Sequence, residues 1–414
     1  MIPPRSRKVI LLGSGRTYRL GAFTGAAERL GIDVVTGDDV PLPLMNRAAA
    51  LDLPLDYRDL VRSAEAVVGF ARRVPVAAIV GVDDSGTLLA ARASQALGLP
   101  HNAPEAAEAA RDKFVMRCRF SAAGVPSPTF RLWRVSDDPA IVAAATRFPC
   151  VVKPTMLSGS RGVMRADNPA ELAGRFARLR GILAHERCDE VLVEDYIPGV
   201  EVALEGLLDG GRLRTLALFD KPDPLEGPFF EETLYVTPSR LPADVQAALE
   251  DAAAGAAAAL GLREGPIHAE LRWNERGPFL IEVAARSIGG LCSRTLRFGT
   301  DMSLEELILR QALGLPIDAA REGHAGGVMM IPIPAAGHLR AVDGVEAAAA
   351  VPGIEKVEIT ARMNHPLVPL PEGDSYLGFI FARGETPDAV EAALRDAHAC
   401  LRFEIVPELR LASG

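Results

Sequence analysis

The sequence is poor in cysteine, and the few cysteines it has are far apart. Its 414 residues include five, at positions 118, 150, 188, 292 and 400, and no two of them form a Cys-x-x-Cys pair. Isolated thiols in odd number are typical of a reduced protein in the cytoplasm. They argue against both a disulfide framework and a zinc site.

Long apolar runs are also missing. The apolar segment at 9–13 follows basic residues, but it is much shorter than the core of a secretory signal. Elsewhere no stretch approaches the roughly 18 uncharged apolar residues that a membrane-spanning helix needs. We therefore expect a soluble, cytoplasmic protein without a membrane partner.

Positive charge is in deficit. The chain has 45 Lys and Arg residues against 54 Asp and Glu residues, which gives a formal net charge of −9. Nucleic acids and anionic membranes are bound by basic surfaces, so this balance argues against both as main partners. Local groups of basic residues can still bind small anions.

What the sequence does contain, at its start, is an alternation of apolar strands and alanine-rich helices. Over residues 1–112 this alternation predicts a parallel sheet with helices on its faces. A Gly-x-Gly motif at 13–15 resembles the start of a dinucleotide fingerprint. Tyr18 replaces the third glycine of that fingerprint, so a dinucleotide site is not expected.

The pattern changes further along the chain. Short strands at 149–154, 162–167 and 190–196 frame a helix at 170–182. Beyond them, two apolar strands meet at Asp209-Gly210-Gly211, which is a strong signal for an antiparallel hairpin. Another pair of strands turns around 275–277. The second half of the chain is therefore expected to be largely antiparallel.

The segment CVVKPTMLSGSRGV, at 150–163, combines a lysine with a loop of small residues. Lys153 ends a strand that should be buried, where an unpaired ammonium is costly, so an anionic partner is expected. In the loop at 158–162, small side chains let backbone N–H groups approach phosphate oxygens. The P-loop pattern is absent, and an ordinary hairpin turn is the alternative.

Two carboxylates, Glu270 and Glu282, lie among apolar residues on strands that are expected to pair. Buried carboxylates need a cation or hydrogen bonds. Magnesium is commonly held by one or two carboxylates together with phosphate and water oxygens. The sequence therefore indicates a magnesium site, with salt bridges to Arg272 or Arg286 as the alternative.

The order of these features resembles that of the ATP-grasp superfamily. Lys113 on a helix comes first, then Lys153 with its loop, the segment VEDYIPGVE, and the two glutamates followed by AARSIGG. The similarity covers nearly the whole chain and is greatest to the bacterial L-amino acid ligases. The segments GPFFEETLYVTPSRLP and PIHAELRWNERGPFLIEVAAR carry this closer resemblance, together with a C-terminal region similar to that of biotin carboxylase.

The resemblance implies an α/β ATP-grasp fold with an N-terminal Rossmann-like domain and a biotin-carboxylase-like C-terminal region. The expected domains are 1–112, a lid at 113–198, a catalytic subdomain at 199–320 and a C-terminal α+β subdomain at 321–414. ATP and Mg²⁺, for which Mn²⁺ can substitute, are the implied cofactors. Small-molecule carboxylates and amines are the implied partners, and a homodimer is left open.

The implied reaction is amide formation. ATP phosphorylates a carboxylate, and an amine then attacks the acylphosphate and releases phosphate, so that two amino acids are joined. Arg286 would stabilise the transferring phosphate, since a guanidinium can clamp it bidentately. The implied catalytic residues are Lys153, Glu282 and Arg286.

The remaining roles follow from the same resemblance. A hinge at 194–197 would pair its backbone with adenine, and Glu201 would hold the ribose unless it belongs to an exposed acidic turn. The implied nucleotide-binding residues are Lys113, Lys153, Ser158, Gly159, Ser160, Arg161, Gly162, Glu194, Asp195, Tyr196, Ile197 and Glu201. The implied metal ligands are Glu270 and Glu282. The implied substrate-binding residues are Glu232, Tyr235, His268, Arg286, Gly289 and Gly290.

Two positions depart from the family pattern. Ala284 stands where many members carry an asparagine metal ligand, and Tyr235 stands where characterised ligases carry a histidine. Glu232 is expected to hold the substrate's amino group, with an acidic turn as the alternative. His268 can equally be a core histidine or a substrate contact.

Other functions stay open. One is a carboxylase or a formate-activating transferase related to purine synthesis, because the terminal domains resemble those families too. Another is a nucleotide-binding module without catalysis, although such a module would not need the charges that serve the transition state. A nicotinamide oxidoreductase is the weakest alternative, because the glycine fingerprint fails.

Overall fold

The computed structural model describes residues 8–14, 17, 19–39, 51–184, 186, 188–299 and 301–407. Tyr18, which carries the argument against a dinucleotide site, lies outside these residues. Within them the strands form four sheets. One sheet is parallel and three are antiparallel.

The N-terminal sheet is parallel and lies between helices. Its elements are β1 (Lys8–Leu12), α1 (Arg19–Leu30), β2 (Asp33–Asp38), β3 (Leu51–Pro54), α2 (Leu60–Arg73), β4 (Val76–Gly81) and α3 (Asp84–Leu97), with strand order β3-β2-β1-β4. Val9 and Leu11 enter one core, and Ile10 and Leu12 enter another on the opposite face. The central residues of β1 are apolar because both faces of the strand are covered. The parallel pairing of β1 with β2 and β4 confirms the predicted parallel sheet.

A four-stranded antiparallel sheet forms the second unit, which we call the lid. Two helices precede the first strand of this sheet along the chain. The elements are α4 (Pro104–Arg111), α5 (Lys113–Ala123), β5 (Phe130–Arg134), α6 (Pro139–Ala144), β6 (Cys150–Pro154), β7 (Met164–Ala166), α7 (Pro169–Leu183) and β8 (Glu190–Asp195), with strand order β5-β8-β6-β7.

The rest of the chain builds an eight-stranded antiparallel sheet and a small three-stranded one. The strands are β9 (Val200–Asp209), β10 (Arg212–Asp220), β11 (Leu234–Thr237), β12 (Gly265–Asn274), β13 (Gly277–Ala284), β14 (Ala325–Ile331), β15 (Gly337–Asp343), β16 (Ile354–Ile359), β17 (Pro366–Leu367), β18 (Gly378–Gly384) and β19 (Arg402–Val406). The helices are α8 (Ala243–Leu260), a 3-10 turn (Cys292–Thr295), α9 (Leu304–Ala312), α10 (Val345–Ala349) and α11 (Pro387–Cys400). The sheet orders are β13-β12-β9-β10-β11-β14-β18-β16 and β17-β15-β19.

The predicted hairpin lies between β9 and β10, whose residues Asp209 and Arg212 pair across the turn. Gly210 and Gly211 both have positive φ, 58° and 91°, which non-glycine residues adopt at a cost. The large sheet also crosses the expected boundary at residue 320. Its strand β11 pairs with β14, so the catalytic and C-terminal strands form one hydrogen-bonded surface.

All five cysteines are free thiols. In the described part of the chain, no helix combines the length and the apolar character that a membrane crossing requires.

Two glycines at the third position of a helix allow a matched test of packing. A Cβ on Gly86 in α3 would lie 2.1 Å from the backbone oxygen of Leu12 in β1, whereas a Cβ on Gly21 in α1 would meet nothing within 4 Å. We expect Gly86→Ala to lower the free energy of unfolding by about 1–3 kcal/mol through overpacking. Gly21→Ala should raise it by up to about 1 kcal/mol through helix propensity.

Urea denaturation of the two variants beside the native protein measures both changes. Equal stability of the Gly86→Ala variant and the native protein would show that α3 does not need this close approach to β1.

Candidate active site

A cavity of about 300 Å³ opens where the N-terminal unit, the lid and the large sheet meet. Of the residues singled out from the sequence, all line it except Arg161 and Gly162. Those that line it are Lys113, Lys153, Ser158, Gly159, Ser160, Glu194, Asp195, Tyr196, Ile197, Glu201, Glu232, Tyr235, His268, Glu270, Glu282, Arg286, Gly289 and Gly290.

At the lid end of the cavity, two cations share one carboxylate. Lys153 Nζ lies 2.7 Å from one oxygen of Glu194, and Arg117 Nε lies 2.6 Å from the other. All three side chains are buried. Burial lowers the pKa of Lys153 although Glu194 opposes this, while the two cations hold the pKa of Glu194 low despite burial. The cluster therefore carries one positive charge in excess, which suits a phosphate.

Sequence reasoning missed Arg117. Its spacing from Lys113 on α5, four residues, places both cations on one helix face, and this could have indicated it. Lys113 is buried, whereas an ordinary lysine on a helix is exposed to solvent. Its Nζ donates to Leu157 O at 2.8 Å and to Glu282 Oε1 at 3.1 Å, so it joins the start of the loop to the large sheet.

The loop at 158–162 lies over the cavity with its first three residues. Ser160 has φ of 56° and Gly159 has φ of 63°, a conformation that turns the backbone sharply. Arg161 points away: its Nε donates to Glu372 O at 2.9 Å and its Nη1 to Glu186 at 2.7 Å. Gly162 N–H donates to Pro371 O at 2.8 Å. These two residues thus hold the loop to the C-terminal region instead of facing the cavity.

Tyr196 and Ile197 of the hinge at 194–197 form an apolar and aromatic wall together with Phe230, whose ring centroid lies 6.5 Å from that of Tyr196. Several backbone groups of the hinge are already engaged, among them Asp195 N–H, which donates to Thr129 O at 2.9 Å. Tyr196 N–H donates to Pro149 O at 3.1 Å, and Ile197 O accepts from Arg272 Nη1 at 2.7 Å. Any adenine contact predicted for this hinge must use its other backbone groups.

At the opposite end of the cavity, three carboxylates surround the ammonium of Lys221, a second residue that sequence reasoning missed. Lys221 Nζ lies 2.8 Å from Glu201 Oε1 and 3.3 Å from Glu270 Oε1, and it also contacts Glu232. The three carboxylates lie within 4.8 Å of one another. They raise the pKa of Lys221 well above its usual value although burial opposes this.

Two of the three carboxylates around Lys221 have pKa values shifted in opposite directions. Burial raises the pKa of Glu232, whereas Lys221 and His268 hold the pKa of Glu270 well below its usual range despite burial. Tyr235 is almost fully buried, and its hydroxyl donates to Glu232 at 2.7 Å. Tyr235 thus positions the acid that was expected to hold the substrate's amino group.

Adjacent strands present these groups on one face. In β12, residues His268, Glu270 and Arg272 alternate with apolar residues, so their side chains share a side of the sheet. Opposite them in β9, Glu205 pairs with His268 and Glu201 pairs with Arg272. The residue opposite Glu270 is the small Ala203, which leaves the carboxylate open to the cavity.

Glu270 and Glu282 are direct cross-strand partners in β12 and β13. Their side chains are 22% and 27% exposed, and both face the cavity. The expected alternative does not apply, because Arg272 pairs with Glu201 and Arg286 pairs with Asp84. Two half-open carboxylates on neighbouring strands fit the oxygen ligands that Mg²⁺ prefers. Ala284 adds no ligand atom to this pair.

Arg286 is fixed by the N-terminal unit. Its Nε and Nη2 each lie 3.0 Å from an oxygen of Asp84, the first residue of α3. Arg286 holds the pKa of Asp84 below its usual value despite burial. A bidentate pair of this kind sets the plane of the guanidinium, so Asp84 is a positioning residue that the sequence alone did not reveal.

Three family models match successive parts of the chain. Residues 24–101 match the ATP-grasp N-terminal domain, residues 146–295 the ATP-grasp domain, and residues 329–406 the L-amino acid ligase C-terminal domain 2. A formate-dependent phosphoribosylglycinamide formyltransferase from Corynebacterium jeikeium is 30% identical over 77% of this chain and 76% of its own length. The alanine–anticapsin ligase of Bacillus subtilis is 28% identical over 51% of this chain and 49% of its own length.

The chain spans less than two thirds of the first curated relatives, namely 64%, 35% and 49% of their lengths. Among solved structures, the L-amino acid ligase from Bacillus licheniformis has a TM-score of 0.80 and 25% identity, covering 97% of this chain and 99% of its own. A biotin carboxylase domain dimer from Hydrogenobacter thermophilus has a TM-score of 0.69 at 18% identity, covering 96% of this chain and 91% of its own. The expected α/β fold with a biotin-carboxylase-like C-terminal region is confirmed.

His268 proves to be both a satisfied core histidine and part of the cavity wall. Its Nδ1 lies 2.5 Å from Glu205 and its Nε2 lies 3.6 Å from Glu270. Although burial lowers its pKa, these two carboxylates raise the pKa to about 9. The protonated ring therefore stabilises the folded state fully below the unfolded pKa of about 6.5, and this contribution is lost as the pH rises through about 9.

We expect the free energy of unfolding to fall between pH 6.5 and 9 by about 3 kcal/mol more in the native protein than in His268→Asn. Urea denaturation at several pH values measures the difference. His365→Asn, which removes an exposed histidine, is the control and should keep the native pH dependence. Parallel curves for the native protein and His268→Asn would contradict the ionised pair.

Proposed function

The chain belongs to the ATP-grasp family, and we propose that it is an ATP-dependent ligase that joins a carboxylate to an amine. We propose further that it joins amino acids through an acylphosphate. The observation that carries this proposal is the charge distribution of one cavity. Its lid end has a surplus of cations beside a loop of small residues, and its far end has a surplus of carboxylates that includes Glu270, the cross-strand partner of Glu282.

The proposed first step is phosphoryl transfer from ATP. A carboxylate oxygen of the first substrate attacks the γ-phosphorus, a new O–P bond forms, the bond to the β-phosphate oxygen breaks, and ADP leaves. Lys153 and Arg286 would stabilise the charge on the transferring group, which is most of what such a reaction requires from a protein. The loop at 158–162 would exclude water, which otherwise hydrolyses an acylphosphate.

In the second step the amine nitrogen attacks the acyl carbon. The C–O bond to phosphate breaks, phosphate leaves, the nitrogen loses a proton, and an amide results. No nucleophilic side chain is needed. Glu270 and Glu282 would hold Mg²⁺, which when bound would neutralise charge on the nucleotide phosphates.

The amino-acid substrate is supported by the acidic end of the cavity. Four carboxylates, Glu201, Glu205, Glu232 and Glu270, face the three cations Lys221, Arg272 and protonated His268, so carboxylates outnumber cations by one. An ammonium group of a substrate would restore the balance in a buried setting. The match to an L-amino acid ligase C-terminal domain and the names of the related ligases support the same substrate class.

A formate-activating transferase is the second candidate, favoured by the 30% identity to the Corynebacterium enzyme. The two functions differ in the carboxylate that triggers ATP cleavage. Release of ADP that depends on formate or bicarbonate, and not on amino acids, would favour the second candidate.

We expect ATP to be cleaved to ADP and phosphate, in equal amount to the amide formed, because the carboxylate attacks the γ-phosphate. A screen of amino acid pairs with Mg²⁺ and ATP, with nucleotides separated by chromatography, measures this. AMP and pyrophosphate as stoichiometric products would rule out the acylphosphate.

We expect Arg286→Lys to lower kcat by about 100-fold or more with little change in the KM for ATP, since a lysine cannot reproduce the bidentate contact with Asp84 that orients the cation. Steady-state kinetics of ADP release measures both constants. Arg294→Lys is the matched control, because Arg294 pairs with Glu358 outside the cavity and should keep native rates. A near-native kcat in Arg286→Lys would place the reaction centre elsewhere.

A further inference from the structure

Arg19, the first residue of α1, lines the active-site cavity from the N-terminal unit. Its side chain is 3% exposed. Nη2 lies 3.3 Å from Glu305 Oε1, but Nε and Nη1 have no hydrogen-bond partner among the described residues. A buried donor without an acceptor has lost its hydrogen bonds to water and gained none in return, which is unfavourable. A buried guanidinium in this state favours an anionic ligand within its reach.

The charged residues around Arg19 leave two of its donors without an acceptor. Glu305, its one carboxylate contact among the described residues, also accepts a hydrogen bond from Ser293 at 2.6 Å. The nearby Glu205 is bonded to His268, and the nearby Arg286 is bonded to Asp84. Burial lowers the pKa of Arg19, while Glu305 and Glu205 oppose this. The two donors without an acceptor are therefore what this wall offers to an anionic ligand.

Another arginine of α1, Arg29, has a structural role, in contrast to Arg19. Arg29 Nη2 pairs with Glu306 of α9 at 3.2 Å, and its side chain is 56% exposed. That pair ties α1 to α9 outside the cavity. Arg19 contacts the neighbouring residue of α9, Glu305, but it also lines the cavity and has two buried donors without a partner among the described residues.

The chemistry of the proposed reaction identifies the anion. The carboxylate of the first substrate is consumed at the reaction centre, where it becomes an acylphosphate and then an amide. If the amine substrate is itself an amino acid, its carboxylate stays ionised through both steps and into the product. It needs a cation that is not occupied by the transferring phosphate, and Arg19 lies on the N-terminal wall rather than beside Lys153 and the loop.

We propose that Arg19 binds the carboxylate of the amine substrate, so that this enzyme selects an amino acid, not a simple amine, as its nucleophile. This inference rests on the proposed ligase function and adds the residue that determines the class of the second substrate.

The test separates the two half-reactions in the 414-residue protein. Hydroxylamine is a nucleophile without a carboxylate, and it traps the acylphosphate as a hydroxamate. We expect Arg19→Gln to raise the KM for the amino acid nucleophile by roughly 10- to 150-fold, the value of a hydrogen bond to a charged group. Hydroxamate formation should stay within about twofold of native, because no carboxylate is bound at Arg19 in that reaction.

Three comparisons complete the test. Arg29→Gln, which breaks the α1–α9 pair outside the cavity, should leave both reactions at native rates. The carboxamide of the nucleophile amino acid should be a poor substrate for the native enzyme, and Arg19→Gln should lose this discrimination. Arg19→Lys, which keeps the charge, should recover part of the lost affinity.

Each contrary result has a distinct meaning. Equal loss of hydroxamate and peptide formation in Arg19→Gln would overturn the inference and place Arg19 in the first step or in folding. Equal use of the amino acid and its carboxamide by the native enzyme would overturn it without any variant. Absence of hydroxamate with every amino acid tested would refute the ligase function itself, and the inference would fall with it.

Discussion

The ammonium of Lys221 lies buried among three carboxylates, and the geometry of the cavity depends on that contact. Without a cation there, Glu201, Glu232 and Glu270 could not all stay ionised within 4.8 Å of one another. Glu201 extends the arrangement, because its second oxygen binds Arg272, which in turn donates to the hinge at Ile197 O. The acidic end and the nucleotide end of the cavity are thus joined by one chain of charged contacts.

Ion pairs and hydrogen bonds that neutralise charged side chains also connect the N-terminal unit, the lid and the large sheet. Asp84 of the N-terminal unit fixes Arg286 at the end of the large sheet. Lys113, the first residue of α5, contacts Glu282 on that sheet, and the loop of the lid is held to the C-terminal region through Arg161 and Gly162. Each contact crosses a boundary between units. The site therefore exists only when all the units are packed together.

Buried charge also explains why some residues could be found from the sequence and others could not. Lys153, Glu270 and Glu282 stand in apolar strands, where a charged residue is costly and so attracts attention. Lys221 stands directly after such a strand and is open to the same argument, but its neighbour Asp220 suggests a local ion pair. In the structure Asp220 instead bonds to Arg240 and Ser239. Arg117 and Arg19 stand on helices, where arginines are usually solvated.

The sequence by itself determined the alternation of parallel strands and helices, the hairpin at Gly210-Gly211 and the period-two placement of His268, Glu270 and Arg272 on one sheet face. These are local properties of the backbone and of burial. Only the tertiary structure decided which distant charges meet, as Arg286 with Asp84 and Arg19 with Glu305 do across 202 and 286 positions. It also decided that Arg161 turns away from the cavity. The physical reason is that a buried charge pairs with an opposite charge that packing places next to it. No local pattern in the sequence identifies that residue.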